Sequence, residues 1–257
     1  DEILAFNGAS YFRAVGKGHG YGLSARGLAI NSGGEGAEEF PRFTTFWAER
    51  PTGVSSLKVH ALLDSPSLTG AYHFTVRPGL PTIIDIEALL FPRRRVDRVG
   101  LAPLTSMFLF DSRNHRAFDD YRAAVHDSDG FAVEAADGRY IWGPLLNPPA
   151  VESTLVHGAT PTGFGLMQRK RSYSDLLDLE AVVEVERSSA GNGIIAFAGL
   201  LLDDVPSADD DVGIVADAAL QGIGTAVPSQ GVVGLAADEQ VVAVVAPESV
   251  AQVVARG

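Results

Sequence analysis

Leu57-Lys58-Val59-His60-Ala61-Leu62-Leu63 and Gly70-Ala71-Tyr72-His73-Phe74-Thr75-Val76 decide the fold class of this chain. Both alternate apolar and polar positions and are rich in residues that favour strands. The second closes on the turn signal Arg77-Pro78-Gly79. Thr82-Ile83-Ile84-Asp85-Ile86-Glu87-Ala88-Leu89-Leu90-Phe91 then repeats the pattern until Pro92 breaks it. Further along, Phe131–Ala135 and Tyr140–Trp142 flank Ala136-Asp137-Gly138-Arg139, a hairpin turn by composition. Short strands between Gly, Pro, Asp and Asn turns predict a mostly β chain, an antiparallel β-sandwich rather than alternating β and α units. Helical signals are few; the segments expected to be helical are Phe40–Trp47 and Asp175–Glu186.

The length of 257 residues suits one large domain or a domain with a small partner. With no Cys, a disulfide framework, a thiolate metal site and a Cys nucleophile are excluded. A net charge of −12 and a pI near 4.8 argue against nucleic acid or an anionic membrane as the main partner. No apolar run reaches the roughly 18 residues of a membrane span, so membrane insertion is not expected. The chain opens Asp1-Glu2-Ile3-Leu4, with no basic-then-apolar leader. The expectation is a removed leader or a piece of a longer protein.

Charge is distributed unevenly. Residues 1–172 carry 18 basic and 18 acidic residues, a net of zero, whereas residues 173–257 carry 2 (Arg187 and Arg256) against 14, a net of −12. All six His and both Trp precede residue 173, and the later aromatics are Tyr173 and Phe197 alone. The reading therefore divides the chain into a sandwich part, 1–175, and an Ala/Val/Gly/Asp-rich tail, 176–257. The tail is expected to be divergent or out of frame.

Gly16-Lys17-Gly18-His19-Gly20-Tyr21-Gly22 lacks the spacing and the Lys-Ser/Thr ending of a phosphate loop and reads as a surface turn. Arg93-Arg94-Arg95 reads as a solvated strand end or loop. His60 and His73 stand 13 residues apart with no third ligand at metal spacing, so no metal site is expected. No Gly-x-Ser-x-Gly elbow is present, and no organic cofactor is suggested. The segment richest in chemistry is Asp119-Asp120-Tyr121-Arg122-Ala123-Ala124-Val125-His126-Asp127-Ser128-Asp129-Gly130. On an extended backbone Asp127 and Asp129 would share one face beside His126, an arrangement suited to acid/base work. The alternative is an Asx turn in which Asp caps its own backbone.

Phe6-Asn7-Gly8-Ala9-Ser10-Tyr11-Phe12-Arg13-Ala14-Val15 and Tyr21-Gly22-Leu23-Ser24-Ala25-Arg26-Gly27-Leu28-Ala29-Ile30 carry a resemblance, followed in order by further strings. These are Glu39-Phe40-Pro41-Arg42-Phe43, Ala61-Leu62-Leu63-Asp64-Ser65, Thr69-Gly70-Ala71-Tyr72, Ala102-Pro103-Leu104-Thr105-Ser106-Met107-Phe108, Val125-His126-Asp127-Ser128-Asp129-Gly130 and Gly163-Phe164-Gly165-Leu166. Over about residues 3–175 the chain resembles the periplasmic glucan biosynthesis proteins of the MdoG/OpgG and OpgD family. The match falls on the second part of the family's large N-terminal sandwich, a galactose-mutarotase-like supersandwich, here incomplete. From this resemblance neither the family's own N-terminal portion nor its C-terminal immunoglobulin-like domain is expected among these residues.

The resemblance implies a periplasmic protein acting on osmoregulated glucans with a β-1,2-linked backbone, by inverting hydrolysis or transglycosylation. An inverting enzyme needs a base to activate water and an acid to protonate the leaving oxygen. The family's base falls on Asp127, with His126 and Asp129 orienting it. Tyr11, Arg13, Arg26 and Trp47 are sugar platforms and clamps by residue type. The family's Tyr-Glu-x-Arg-Pro-Ser string survives only as Val183-Glu184-Val185-Glu186-Arg187-Ser188-Ser189. Its acid falls nearest Asp211, within Asp209-Asp210-Asp211-Val212-Gly213-Ile214-Val215. Three readings stand at this point: a β-1,2-glucan hydrolase or transglycosylase, a non-catalytic glucan-binding protein, and an inactive fragment.

Overall fold

The computed structural model describes residues 2–17, 24–33, 36–51, 53, 55–150, 152, 154 and 161–168. It also describes the backbone of strands at 194–205, 212–221, 232–233, 241–244 and 250–255. In chain order the first strands are β1 (Leu4–Asn7), β2 (Tyr11–Ala14), β3 (Ser24–Arg26), β4 (Leu28–Ile30) and β5 (Arg42–Ala48). There follow β6 (Leu57–Asp64), β7 (Leu68–Arg77), β8 (Ile83–Pro92), β9 (Val96–Phe110) and β10 (Val125–His126). Next come β11 (Gly130–Ala135), β12 (Tyr140–Pro144), β13 (Pro161–Met167) and β14 (Ile194–Val205). The last are β15 (Val212–Gln221), β16 (Val232–Val233), β17 (Val241–Val244) and β18 (Val250–Ala255). Among the described residues the only helix is a single 3₁₀ turn, His115–Ala117.

All pairings are antiparallel and build two sheets. One has seven strands, ordered β1-β2-β3-β9-β10 with β4 and β14 also on β9; the other has eleven, running β12-β11-β13-β16-β15-β8-β7-β6-β5 with β17 and β18 attached through β15. The expected antiparallel sandwich is what forms. Alternation explains how the two sheets meet: Val59, Ala61, Leu63, Tyr72, Phe74, Val76, Ile84, Ala88 and Leu90 point inward from β6, β7 and β8. They meet Phe12, Ala25, Leu28, Ile30, Val99, Leu101, Leu104 and Phe108 of the first sheet in one core. Phe6, Phe12, Phe43 and Phe74 pack edge-on or tilted at centroid distances of 5.2–6.1 Å, stitching the sheets together. The Tyr72 hydroxyl donates across the interface to the Gly27 carbonyl at 2.9 Å, and burial pushes its acidity well below that of an ordinary phenol.

Phe40–Trp47 is not helical. It forms β5, paired with β6 from Arg42↔Asp64 to Ala48↔Val59. Phe43, Thr44, Thr45, Phe46 and Trp47 are aromatic or β-branched, residues that suit a pleated surface better than a helix. A register shift between Phe43 and Thr45 masks the period-two pattern. Asp175–Glu186 lies outside the described residues.

β9 is the spine of the smaller sheet. One edge carries β4, then β3, then β10, while the other pairs with β14 from Val96↔Val205 to Phe108↔Ile194. Between Leu101 and Leu104 it has one more residue than β14 does, and Ala102 sits at φ +45°. That bulge accommodates Pro103, which has no N–H to give to a ladder.

Glu39 fastens the approach to β5. Its carboxylate accepts from the Ser67 amide and hydroxyl, both at 2.9 Å, and pairs with Arg94 at 3.4 Å. Burial opposes ionisation, but the hydrogen bonds from Ser65 and Ser67 and the Arg94 charge outweigh it and hold the carboxyl below its usual range. Its contribution to stability is therefore complete above the unfolded value of about 4.3 and is lost as pH falls through the lower folded value. Thermal midpoints of the parent and Glu39→Gln, measured from pH 6 to pH 3, should differ at the upper end and converge at the acid end. Curves that stay parallel would sink this assignment.

Candidate active site

The chain leaves the smaller sheet at His126 and enters the larger at Gly130, so Asp127-Ser128-Asp129 forms the crossing between the sheets. The crossing is clamped at both ends. The Asp127 amide donates to the Met107 carbonyl at 2.8 Å, and the Met107 amide donates back to Asp127 Oδ2 at 3.0 Å. Gln168 Nε2 donates to the Asp127 carbonyl at 2.5 Å, and the Asp129 amide donates to the Met167 carbonyl at 2.8 Å. One oxygen of the Asp127 carboxylate is thus held by a neighbouring strand twenty residues earlier.

Asp127 and Asp129 take different partners. Asp129 Oδ1 lies 3.3 Å from His126 Nε2, and both side chains are nearly buried. The His126 ring leans on Phe108 at 5.2 Å. Asp111 and Arg113 pair beside them at 2.6 Å, with Arg113 Nη2 donating to the Leu145 carbonyl at 3.1 Å. Burial disfavours the charge on Asp111, but hydrogen bonds from Arg113 and the positive charges of Arg113 and His126 prevail and lower its carboxyl. Ser106 Oγ, Ser128 Oγ and His126 Nδ1, all close in sequence to the clamp, are buried without a hydrogen-bond partner in the protein.

The other candidate residues fall in two places. Tyr11 and Arg26 are direct cross-strand partners on β2 and β3, and Arg13 faces Ser24, which in turn faces Thr105 of β9. Counting along β9, the Arg26 position is four residues from Met107, about 13 Å at 3.3 Å per residue. Arg26 is 4% exposed, paired with Glu38 at 2.8 Å and sandwiched between Tyr11 and Phe40 at 5.3 and 5.5 Å. Its Nε and Nη2 have no partner in the protein. Arg13 pairs with Glu2 at 2.5 Å. Trp47 lies on β5 directly across from His60, on the outer face of the larger sheet. Asp211 lies outside the described residues.

Sequence reasoning missed the groups that hold Asp127 (Met107 and Gln168) and an aromatic close by. Trp142 is 44% exposed, and its ring lies over Gly130, directly after the crossing. The hairpin had been legible, but only the register Ala132↔Trp142 brings that ring over Gly130. Sequence spacing also did not show a third possible donor beside His60 and His73. β5 pairs with β6 and brings Glu49 beside them, with the three ligand atoms within 4.8 Å of one another. Sequence spacing could not show this, because the partner comes from an adjacent strand.

The fold is a two-sheet antiparallel sandwich with an acidic crossing between its sheets, and sequence comparison gives the family. Residues 1–190 match the family described as "Periplasmic glucan biosynthesis protein, MdoG", and the chain belongs to that family. It is similar to "Glucans biosynthesis protein G" of Cereibacter sphaeroides, 52% identical over 189 residues, covering 73% of this chain and 35% of that protein. It is also similar to the protein of the same name from Rhodopseudomonas palustris, 53% identical over 189 residues, 73% of this chain and 38% of that one. "Glucans biosynthesis protein G 1" of Shewanella oneidensis is 54% identical over 185 residues, 72% of this chain and 34% of that protein. The chain spans about a third of the length of these relatives. Among the described residues no helix is long and apolar enough to cross a membrane.

Proposed function

We propose that this chain binds a β-1,2-linked glucan in the periplasm along the edge of β9, and that Asp127 acts there as the general base of inverting hydrolysis or of transfer. The observation that carries the reading is the fixed Asp127 carboxylate at the crossing, flanked in the chain by the His126–Asp129 pair. In hydrolysis Asp127 takes a proton from water as the water oxygen bonds the anomeric carbon. The glycosidic bond breaks, and an acid delivers its proton to the leaving oxygen. Asp211 is the proposed acid. His126 and Asp129 orient the base, while Tyr11, Arg13 and Arg26 meet sugar units farther along β9. Trp47, on the larger sheet, would meet only a glucan long enough to wrap around the sandwich edge.

The test is calorimetric titration and product analysis with linear β-1,2-glucan, using β-1,3- and β-1,4-glucans as controls. Selective binding with release of shorter β-1,2-glucans is the expected result. Binding without release would leave the glucan-binding reading and remove the catalytic one; no binding would remove both.

A further inference from the structure

We propose that Glu49, His60 and His73 form a binding site for a divalent transition ion of the zinc type on the outer face of the larger sheet. His60 and His73 are direct cross-strand partners on β6 and β7, their rings stacked at 4.6 Å and 24°. Both point away from the core, because their neighbours Val59, Ala61, Tyr72 and Phe74 point into it. Glu49 follows β5, its amide bonded to the Lys58 carbonyl at 3.0 Å, and its Oε1 reaches His60 Nε2 at 2.7 Å.

Two imidazoles and one carboxylate with a fourth position open to solvent is a donor set that zinc accepts. Ligand atoms about 2.0–2.1 Å from a tetrahedral ion lie roughly 3.4 Å apart. The three ligand atoms now lie within 4.8 Å of one another, so side-chain rotation is the movement expected on binding. Glu87, cross-strand to His73, lies 3.7 Å from its Nδ1, close enough to move in as the outer-shell carboxylate that metal-bound histidines use, and Thr75 Oγ1 lies 3.5 Å from His73 Nε2. The Lys58 charge acts on Glu49 and would compete with an ion for it. Ligation would tie β5, at the end of the strand order, to the two strands inside it.

The site does not involve Asp127, although Trp47, assigned to glucan contact above, stands directly across from His60. The experiment is titration of the metal-stripped chain with zinc chloride, followed by calorimetry, and with cobalt chloride, followed by visible absorption. One zinc per chain, with an intense tetrahedral cobalt spectrum, is expected. His60→Gln, His73→Gln and Glu49→Gln should each weaken zinc binding at least tenfold and bleach the cobalt bands. Glu49→Gln is the sharpest of these, because an amide can still accept a hydrogen bond from His60 but is a poor zinc ligand. Zinc should also raise the thermal midpoint of the parent and leave that of the His60→Gln/His73→Gln chain unmoved. Absence of binding, or binding that all three variants retain, overturns the proposal.

Discussion

Asp127→Asn is expected to slow product release from linear β-1,2-glucan by about 10²–10⁴-fold, the usual worth of a positioned general base. The thermal midpoint should stay near that of the parent. The carboxamide keeps an oxygen for the Met107 amide, and the backbone bonds to Met107 and Gln168 do not depend on the side chain. What disappears is the capacity to take a proton from water. Asp127→Ala is the necessary contrast, since it removes the acceptor from the Met107 amide and leaves that donor without its partner. Loss of activity in Asn with an intact midpoint, and loss of both in Ala, separates chemistry from scaffolding. An Asn variant as fast as the parent would show that some other group activates the water.

Gly130→Ala should destabilise the chain by about 1–3 kcal/mol, as small-to-large changes in tightly packed places do. A Cβ at this position would stand 2.5 Å from the Gly143 carbonyl oxygen and 2.9 Å from the Trp142 ring. The first obstacle is backbone and cannot rotate away, so β11 and β12 must separate or the crossing must shift. Gly138 provides the control. It sits at φ +83° in the hairpin turn with open space where a Cβ would go, so alanine there meets only the backbone penalty. Urea unfolding midpoints of the two variants should rank Gly130→Ala below Gly138→Ala. Because Gly130 directly follows Asp129, glucan affinity should fall with it; an unchanged midpoint and affinity would refute the packing argument.

The parts of the fold legible in the sequence were those in which one strand reports on itself. β6, β7 and β8 alternate cleanly because one face is core and the other is not, and Asp137-Gly138 marked its hairpin through the positive φ of Gly138. β5 was misread because its register shift breaks the alternation that would have declared it. The His126-Asp127-Ser128-Asp129 string pointed to a site, but the expectation of two carboxylates sharing a face assumed a continuous strand. The chain instead changes sheets there, and Asp127 and Asp129 part company. Met107, Gln168 and Glu49 could not be found by spacing, since each arrives by pairing between distant segments. Pairing of that kind is a property of the whole topology rather than of any window of sequence.

The position of β9 has a consequence in time. A chain made from its N-terminus at roughly 5–20 residues per second completes β9 some 5–20 s before Ile194–Val205 exists to pair with it. β8 waits longer still for β15. During that interval two long strands each present an unpaired ladder to whatever is nearby, including one another on neighbouring nascent chains. Making this protein thus includes a wait for sequence as well as a search for shape, and the yield of correctly paired molecules should depend on what shields those ladders meanwhile.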